Sequence, residues 1–566
     1  MILDLKLKIK QCIEEYVKKE FGIEVTAVVE QPKNLEMGDI AVPVFTVMKA
    51  IRKPLPEVVS MIKRLLLNSF TEISEINPTG GFLNIRVIKS DICVNILKEA
   101  VTKLGEFGNN DFGLNQTVVI DYSSPNIAKS FSIGHLRSTM IGNALKLIYR
   151  KCGYDVVGIN YLGDWGTQFG KMIIAYKKWG NLAAIEADPI NELTKLYVRF
   201  HEEAKENPEL EDEAREAFRL LETGDEEYYD LWKWIREESL KESQQIYDLL
   251  NVSFDSYNGE AYYNDKMDPV VDELAQKELL IDDQGAKIVR IGDDVPPALI
   301  KRRDGGSLYI TRDLAAIFDR KNRYNFSKIL YVVGNEQKLH FEQLRRVITA
   351  MGYDFSPAVN HINFGLVLQN GHKMSTRGGG VVKLYDVLDN AMKLAYEQIV
   401  EKNPDIANPE EIARKVGCGA VVFNDLKNHR TLDYDFDMEK MLKFEGQTGP
   451  YLQYTGVRIA SILRNNSYDI NNIDTTLFEQ DNYFELSRTI GEFKGIIAKA
   501  CNEDAPSVIA KYLLGLAQTF NKFYANVKIN ALDEKVRNTN FMIAHATRIV
   551  INEGLRLLGI EYVEQM

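Results

Sequence analysis

The apolar positions change character twice along the chain, and each change marks a different kind of domain. Near the N-terminus Leu5, Ile9, Cys12, Ile13 and Tyr16 fall on one helical stripe, whereas FLNIRV at 82–87 alternates as a strand does. A small α+β unit over residues 1–108 is predicted. From 109 to 400 the pattern becomes short β-branched runs, TVVID, DVVGINYL, ILYVVGN and INFGLVL, each followed by a polar or glycine-containing turn. Such runs suit parallel strands covered on both faces. A charged, helical stretch at about 180–270 interrupts them. From 409 to 566 strand signals vanish and amphipathic helices follow. One carries Met441, Leu442 and Phe444, another has Pro506 just inside its start with Leu513, Leu514 and Leu516 along it, and the last ends with Gly559 in the capping position. No internal repeat or low-complexity tract is present.

Composition narrows the class. A chain of 566 residues with 45% hydrophobic content holds three or four ordinary domains. Its five cysteines show no CxxC or Cys/His spacing, which predicts a reducing compartment, five buried thiols and no structural zinc. The N-terminus lacks a basic region followed by an apolar core, and no run approaches about 18 apolar residues. A soluble, cytoplasmic protein is expected. The net charge of −12 is local, because residues 201–230 hold thirteen acidic against three basic residues. A polyanionic partner therefore stays open, and Arg52, Lys53, Lys63 and Arg64 form a basic cluster in the first unit.

Two segments look built for a polyphosphate. SPNIAKSFSIGHLRS at 124–138 turns from the TVVI strand into a helix starting near Gly134, where backbone N–H groups meet phosphate oxygens and His135 adds a donor. HKMSTRGGG at 372–380 brings the cations Lys373 and Arg377, with Met374 and Ser375 between them. The economical reading is one ATP site closed from two sides.

Together these segments resemble the signature motifs of class I aminoacyl-tRNA synthetases. LGDWGTQFG at 162–170, DGGSLYITRDLAA at 304–316, GNEQKLHF at 334–341 and GPYLQYTGVR at 449–458 resemble the arginyl-tRNA synthetase family in particular, as do MGDIAVPVF at 37–45 and GGFLNIRV at 80–87. The resemblance implies an α/β, Rossmann-like catalytic domain between an α+β domain that meets the tRNA elbow and an all-α helical bundle that binds the anticodon. It implies arginine activation with ATP and Mg2+, then transfer to tRNA(Arg), by a monomer.

Site residues follow from the same resemblance. Ser132 stands where the family's first motif histidine is usual, and Thr376 where most class I enzymes have a second lysine. Lys129 is the compensating cation. Gly163 and Asp164 shape the floor under adenosine, Trp165 packs, and His340 lines the same cleft. Asp121, Tyr309 and Asp313 match positions that contact the guanidinium, the last two four apart on one helical face. Asn126 and Gln337 match those holding the α-amino group, and Tyr451, Tyr454 and Met566 those meeting the anticodon loop. A small-molecule adenylyltransferase and an inactive tRNA-binding paralogue are the alternatives.

Overall fold

The computed structural model describes residues 2–32, 34, 37–127, 131–303, 309–374 and 382–566. Lys129, Ser375, Thr376 and Arg377 lie outside the described residues.

The first unit runs α1 (Ile2–Phe21), β1 (Ile40–Pro43), α2 (Phe45–Ile51), α3 (Leu55–Ser69), β2 (Ile73–Thr79), β3 (Phe82–Val87) and α4 (Lys89–Lys103). Its three strands form an antiparallel sheet in the order β1-β3-β2. The stripe on α1 buries Leu5, Ile9, Ile13 and Val17. Cys12 lies at the border of that stripe and is only half-buried, with Sγ 3.6 Å from Ser69 Oγ, so four of the five cysteines are buried and not all five. Helix α4 turns away from this unit. Its Ile92, Ile96, Leu97 and Ala100 are buried, and it packs on the C-terminal helices, with Lys98 Nζ donating to Asn471 Oδ1 at 3.2 Å.

The second unit is built on β4 (Thr117–Asp121), β5 (Asp155–Ile159), β9 (Lys328–Tyr331) and β10 (Val359–His361), a parallel sheet in the order β10-β9-β4-β5. Helix α5 (Ile133–Lys151) follows β4. Val118 and Ile120 share the core of α5, while Val119 joins the opposite core with Leu314 and Leu344, so alternation along β4 feeds both faces. Between β5 and β9 come α6 (Thr167–Trp179), α7 (Leu182–Ala187), α8 (Pro189–Glu206), α9 (Glu209–Glu222), α10 (Glu226–Leu249) and α11 (Met267–Gln276). A small antiparallel sheet of β6 (Leu280–Asp283), β7 (Ala286–Val289) and β8 (Ala298–Lys301) precedes α12 (Tyr309–Tyr324), and α13 (Lys338–Ala350) follows β9.

INFGLVL is not one strand of this sheet. The fourth parallel strand is the preceding Val359–His361, and the run instead leads into β11 (Val367–Gln369), which pairs with β12 (His372–Lys373) and with β13 (Tyr434–Asp435) in a separate sheet. Helices α14 (Leu384–Lys402) and α15 (Pro409–Leu426) lie between β12 and β13, so a strand does occur beyond residue 409.

The remainder is helical: α16 (Met438–Met441), α17 (Gly449–Leu463), α18 (Asp481–Gly491), α19 (Phe493–Asn502), α20 (Ser507–Asn526) and α21 (Glu534–Leu557). The helix expected through Met441, Leu442 and Phe444 is a single turn that stops at Leu442, leaving Phe444 in a loop. Pro506 occupies the cap before α20, not its first turn. Gly559 takes the left-handed conformation, φ 74°, that ends α21.

Candidate active site

The parallel register aligns Asp121 with Tyr331 and Ile159, so the loops after β4, β5 and β9 emerge at one edge of the sheet. Because β5 and β9 flank β4 on opposite sides, this edge is a topological switch point, where open α/β sheets bind their ligands. The loop after β4 begins with Ser123 and Ser124, both left-handed at φ 69° and 48°. A polar network fixes that bend. Ser123 N donates to Ser138 Oγ at 2.9 Å, Thr139 Oγ1 donates to Ser123 Oγ at 2.9 Å, and Ser138 Oγ donates to the Val332 carbonyl at 2.6 Å.

The helix start behaves as its motif suggests. Ser132 is the N-cap of α5, and its backbone N–H donates to His135 Nδ1 at 3.0 Å. An accepting Nδ1 places the proton of the neutral ring on Nε2, so His135 offers a donor from that nitrogen. Gly134 sits between them in the first turn. Gly163 pairs with Asn126 in a parallel bridge, and its N–H donates to the Pro125 carbonyl at 3.0 Å. A Cβ at Gly163 would lie 3.1 Å from Asn126 Cα, so the two loops approach closely there and a side chain would push them slightly apart.

Asp164 is held by partners within the chain. It is buried, one carboxylate oxygen accepts from Ala261 N at 2.9 Å, and the other lies 2.8 Å from Arg236 Nε. Trp232 Nε1 donates to its carbonyl at 2.8 Å. Burial raises its carboxyl, with those partners opposing the rise. Its oxygens thus anchor the helical insertion. Trp165 packs edge-on against Trp232 at 5.5 Å between centroids, consistent with a structural ring.

Asp121 likewise has partners within the chain. Its Oδ1 accepts from Ser124 Oγ at 2.8 Å, and its Oδ2 lies 2.8 Å from Arg320 Nη1, with both side chains almost fully buried. The chain's own guanidinium already compensates this carboxylate. Arg320 rests over the rings of Tyr161 and Tyr331, at 5.0 and 5.7 Å.

Tyr309 begins α12 and is 69% exposed, and Asp313 lies one turn on. His340 Nε2 contacts Asp313 Oδ2 at 2.6 Å, which resolves the place of that histidine. Beside them Glu260 lies 3.2 Å from Arg312 Nη1, and burial pushes its carboxyl up to about 7 despite the guanidinium. Gln337 ends a short turn after β9 and is exposed, while Asn126 is half-buried. Lys373 closes β12, and Met374 follows it half-buried.

On α17, Tyr454 is 39% exposed and Arg458 sits 5.1 Å from its ring. Tyr451 is half-buried and accepts from Asn521 Nδ2 at 2.8 Å. The final segment runs along α17, where Gln453 Nε2 donates to the Glu561 carbonyl at 2.8 Å, and Met566 packs against the core.

Sequence reasoning missed Arg320, Arg236 and Glu260 as parts of this site. For Arg320 a signal existed: it continues the stripe of Ile310, Leu314 and Ile317 on α12, where a charged residue needs a buried partner.

Comparison with known proteins agrees over the full length. Residues 97–438 match the family model described as tRNA synthetases class I (R), catalytic domain, residues 452–566 the DALR anticodon binding domain, and residues 4–87 the arginyl tRNA synthetase N terminal domain. The chain is 47% identical over 545 residues to arginine–tRNA ligase 1 of Bacillus cereus, covering 96% of each, and 47% identical to arginine–tRNA ligase of Enterococcus faecalis, covering 99% of each. Among solved structures, the arginyl-tRNA synthetase of Thermus thermophilus superposes with a TM-score of 0.82 at 24% identity, over 99% of this chain and 100% of that one. The parallel sheet, the capped helix start at Ser132 and these matches lead to one conclusion: the chain belongs to the class I arginyl-tRNA synthetase family.

Proposed function

We propose that the protein is an arginine–tRNA ligase that joins L-arginine to ATP as arginyl-adenylate and passes arginine to the 3′-terminal adenosine of tRNA(Arg). In the first step the arginine carboxylate attacks the α-phosphorus and pyrophosphate leaves. In the second a ribose hydroxyl attacks the activated carbonyl and AMP leaves. No protein side chain forms a covalent intermediate, so positioning and charge stabilisation supply the catalysis. Magnesium arrives with the ATP phosphates.

Lys129, His135, Lys373 and Arg377 neutralise the phosphates in this reading, with Ser132, Gly134, Gly163, Met374 and Ser375 shaping the nucleotide site. Asn126 and Gln337 hold the α-amino group, and Tyr309 and Asp313 take the fork. Asp121 and Asp164 act from behind, through Arg320 and Arg236. Residues 1–108 meet the tRNA elbow, 109–400 carry the chemistry, and 409–566 meet the anticodon through Tyr451, Tyr454 and Met566. The protein works as a cytoplasmic monomer.

The observation that supports this most is the single sheet edge shared by the loops bearing Asn126, Gly163 and Gln337. Arginine-dependent ATP–pyrophosphate exchange, measured with and without tRNA(Arg), tests it. Exchange that needs the tRNA is expected. Exchange with no RNA present favours a small-molecule adenylyltransferase, and none under either condition an inactive paralogue. Lys129→Ala is expected to lower exchange by about 100-fold, as losing one transition-state donor does, with little change in arginine affinity. Normal turnover in that variant removes Lys129 from the mechanism.

A further inference from the structure

The two signature segments are far apart in sequence, and something must set the distance between them. One short stretch, residues 425–435 at the end of α15, holds both the helix of the first segment and the strand that leads into the second. From the first segment's helix, two residues beyond His135, Arg137 reaches this stretch. Its Nε lies 2.8 Å from Asp425 Oδ1, and its Nη1 donates to the Leu432 carbonyl at 2.8 Å. The guanidinium also lies 5.2 Å from the Tyr434 ring and 5.9 Å from that of Phe364. Both charged side chains are essentially fully buried, at 1% and 0% exposure.

The strand that leads into the second segment is held from the same stretch. Tyr434 and Asp435 pair with Val367 and Leu368 as β13 against β11, the strand whose hairpin partner β12 is formed by the first two residues of HKMSTRGGG. Asp433 Oδ1 accepts from Leu366 N at 2.7 Å, and Asp435 Oδ1 from Gly371 N at 2.8 Å. Gly365 is required for this contact, because a Cβ there would lie 2.4 Å from Asp433 Oδ1 and 2.8 Å from the Leu432 carbonyl carbon. Arg430 Nη1 adds a bond to the Asn363 carbonyl at 2.7 Å.

We infer that Arg137 and residues 425–435 form a positioning junction that fixes the spacing between the two phosphate-gripping segments. This rests on the ATP site proposed above. Arg137 touches no substrate in this role. It acts by locking the helix that presents His135 to the same stretch that carries the β11–β12 hairpin.

A fully buried ion pair broken from one side destabilises a fold, whereas apolar replacement of both partners is often tolerated. The test therefore uses Arg137→Leu combined with Asp425→Leu, and separately Asp433→Ala, an exposed position whose loss leaves the core intact. For each protein the melting temperature, the arginine and ATP KM, the exchange kcat and direct ATP binding by calorimetry are measured. Both variants are expected to hold their melting temperature and arginine KM while exchange kcat over ATP KM falls by about 10–100-fold, the scale of a misplaced reacting group. Wild-type exchange and ATP binding in both variants would overturn the junction. If the double variant does not fold, Asp433→Ala alone decides in the same way. If the wild-type chain binds ATP but gives no exchange, the ligase reading fails, while weaker ATP binding in Asp433→Ala still supports the junction and unchanged binding overturns it.

Discussion

Asp121→Asn separates two roles for a carboxylate that the sequence assigns to substrate. In the structure its Oδ2 faces Arg320 Nη1 at 2.8 Å, and Arg320 is 1% exposed. Neutralising Asp121 leaves a guanidinium without its ion-pair partner in a site closed by Tyr161 and Tyr331. Those rings face the cation in both proteins and do not replace the lost charge. Breaking a buried pair from one side costs about 3–5 kcal/mol, and the remaining amide oxygen, still an acceptor, holds the loss near 3 kcal/mol. At about 2–4 °C per kcal/mol for a domain of this size, the melting temperature should fall by about 6–12 °C. The assay is a thermal-shift measurement without arginine, paired with arginine KM in the exchange reaction. If Asp121 received the substrate's fork directly, the ligand-free protein would melt within about 2 °C of wild type while KM rose by more than about tenfold. That pattern would refute the assignment of Asp121 to Arg320.

Two further predictions concern the neighbouring acids. His340→Ala removes the donor at Asp313, and a lost hydrogen bond to a charged group, about 1.5–3 kcal/mol, should raise arginine KM about tenfold or more with ATP KM unchanged. His340→Gln, which returns a donor near the Nε2 position, should restore most of the affinity, and equal KM values for the two variants would dismiss the orienting role. Burial lifts Glu260 from 4.5 to about 7, so the folded state holds this proton more tightly than the unfolded chain. The associated stability, about 3 kcal/mol, is full below pH 4.5 and lost as pH rises through 7. Glu260→Gln cannot ionise, and its melting temperature should fall less between pH 5 and pH 8 than that of wild type. Parallel pH profiles would show that Glu260 does not titrate in this window.

Local pattern carried much of the fold. The β-branched runs at 117–121, 155–159 and 329–331 are strands because both faces of each find apolar cover, and no distant information is needed to see that. INFGLVL failed for a tertiary reason: it follows β9 only as far as the bridge between Phe364 and Gly334, and Gly365 must then admit residues 432–433, so the segment leaves the sheet despite its strand-like composition. The helix start near Gly134 was legible in the sequence, and its cap, Ser132 with His135, joins residues only three apart. The pairing of Asp121 with Arg320 was not, since 199 positions separate them and nothing local distinguishes a carboxylate facing a ligand from one facing an internal cation. His340 could be placed in the cleft from its spacing to Gln337, but only the fold brings it to Asp313.

Helix α4 has a consequence for how the chain is made. Its apolar residues Ile92, Ile96 and Leu97 complete a core with α18 and α21, and Ile96 Cδ1 would lie 2.6 Å from a Cβ at Gly491. At typical synthesis rates the ribosome needs on the order of 20–80 s to travel from the end of α4 to the start of α18. Throughout that interval a finished amphipathic helix waits with a greasy side uncovered. Nascent chains stalled within residues 104–480 should therefore recruit holding chaperones to the α4 face, and release them once the last helices emerge.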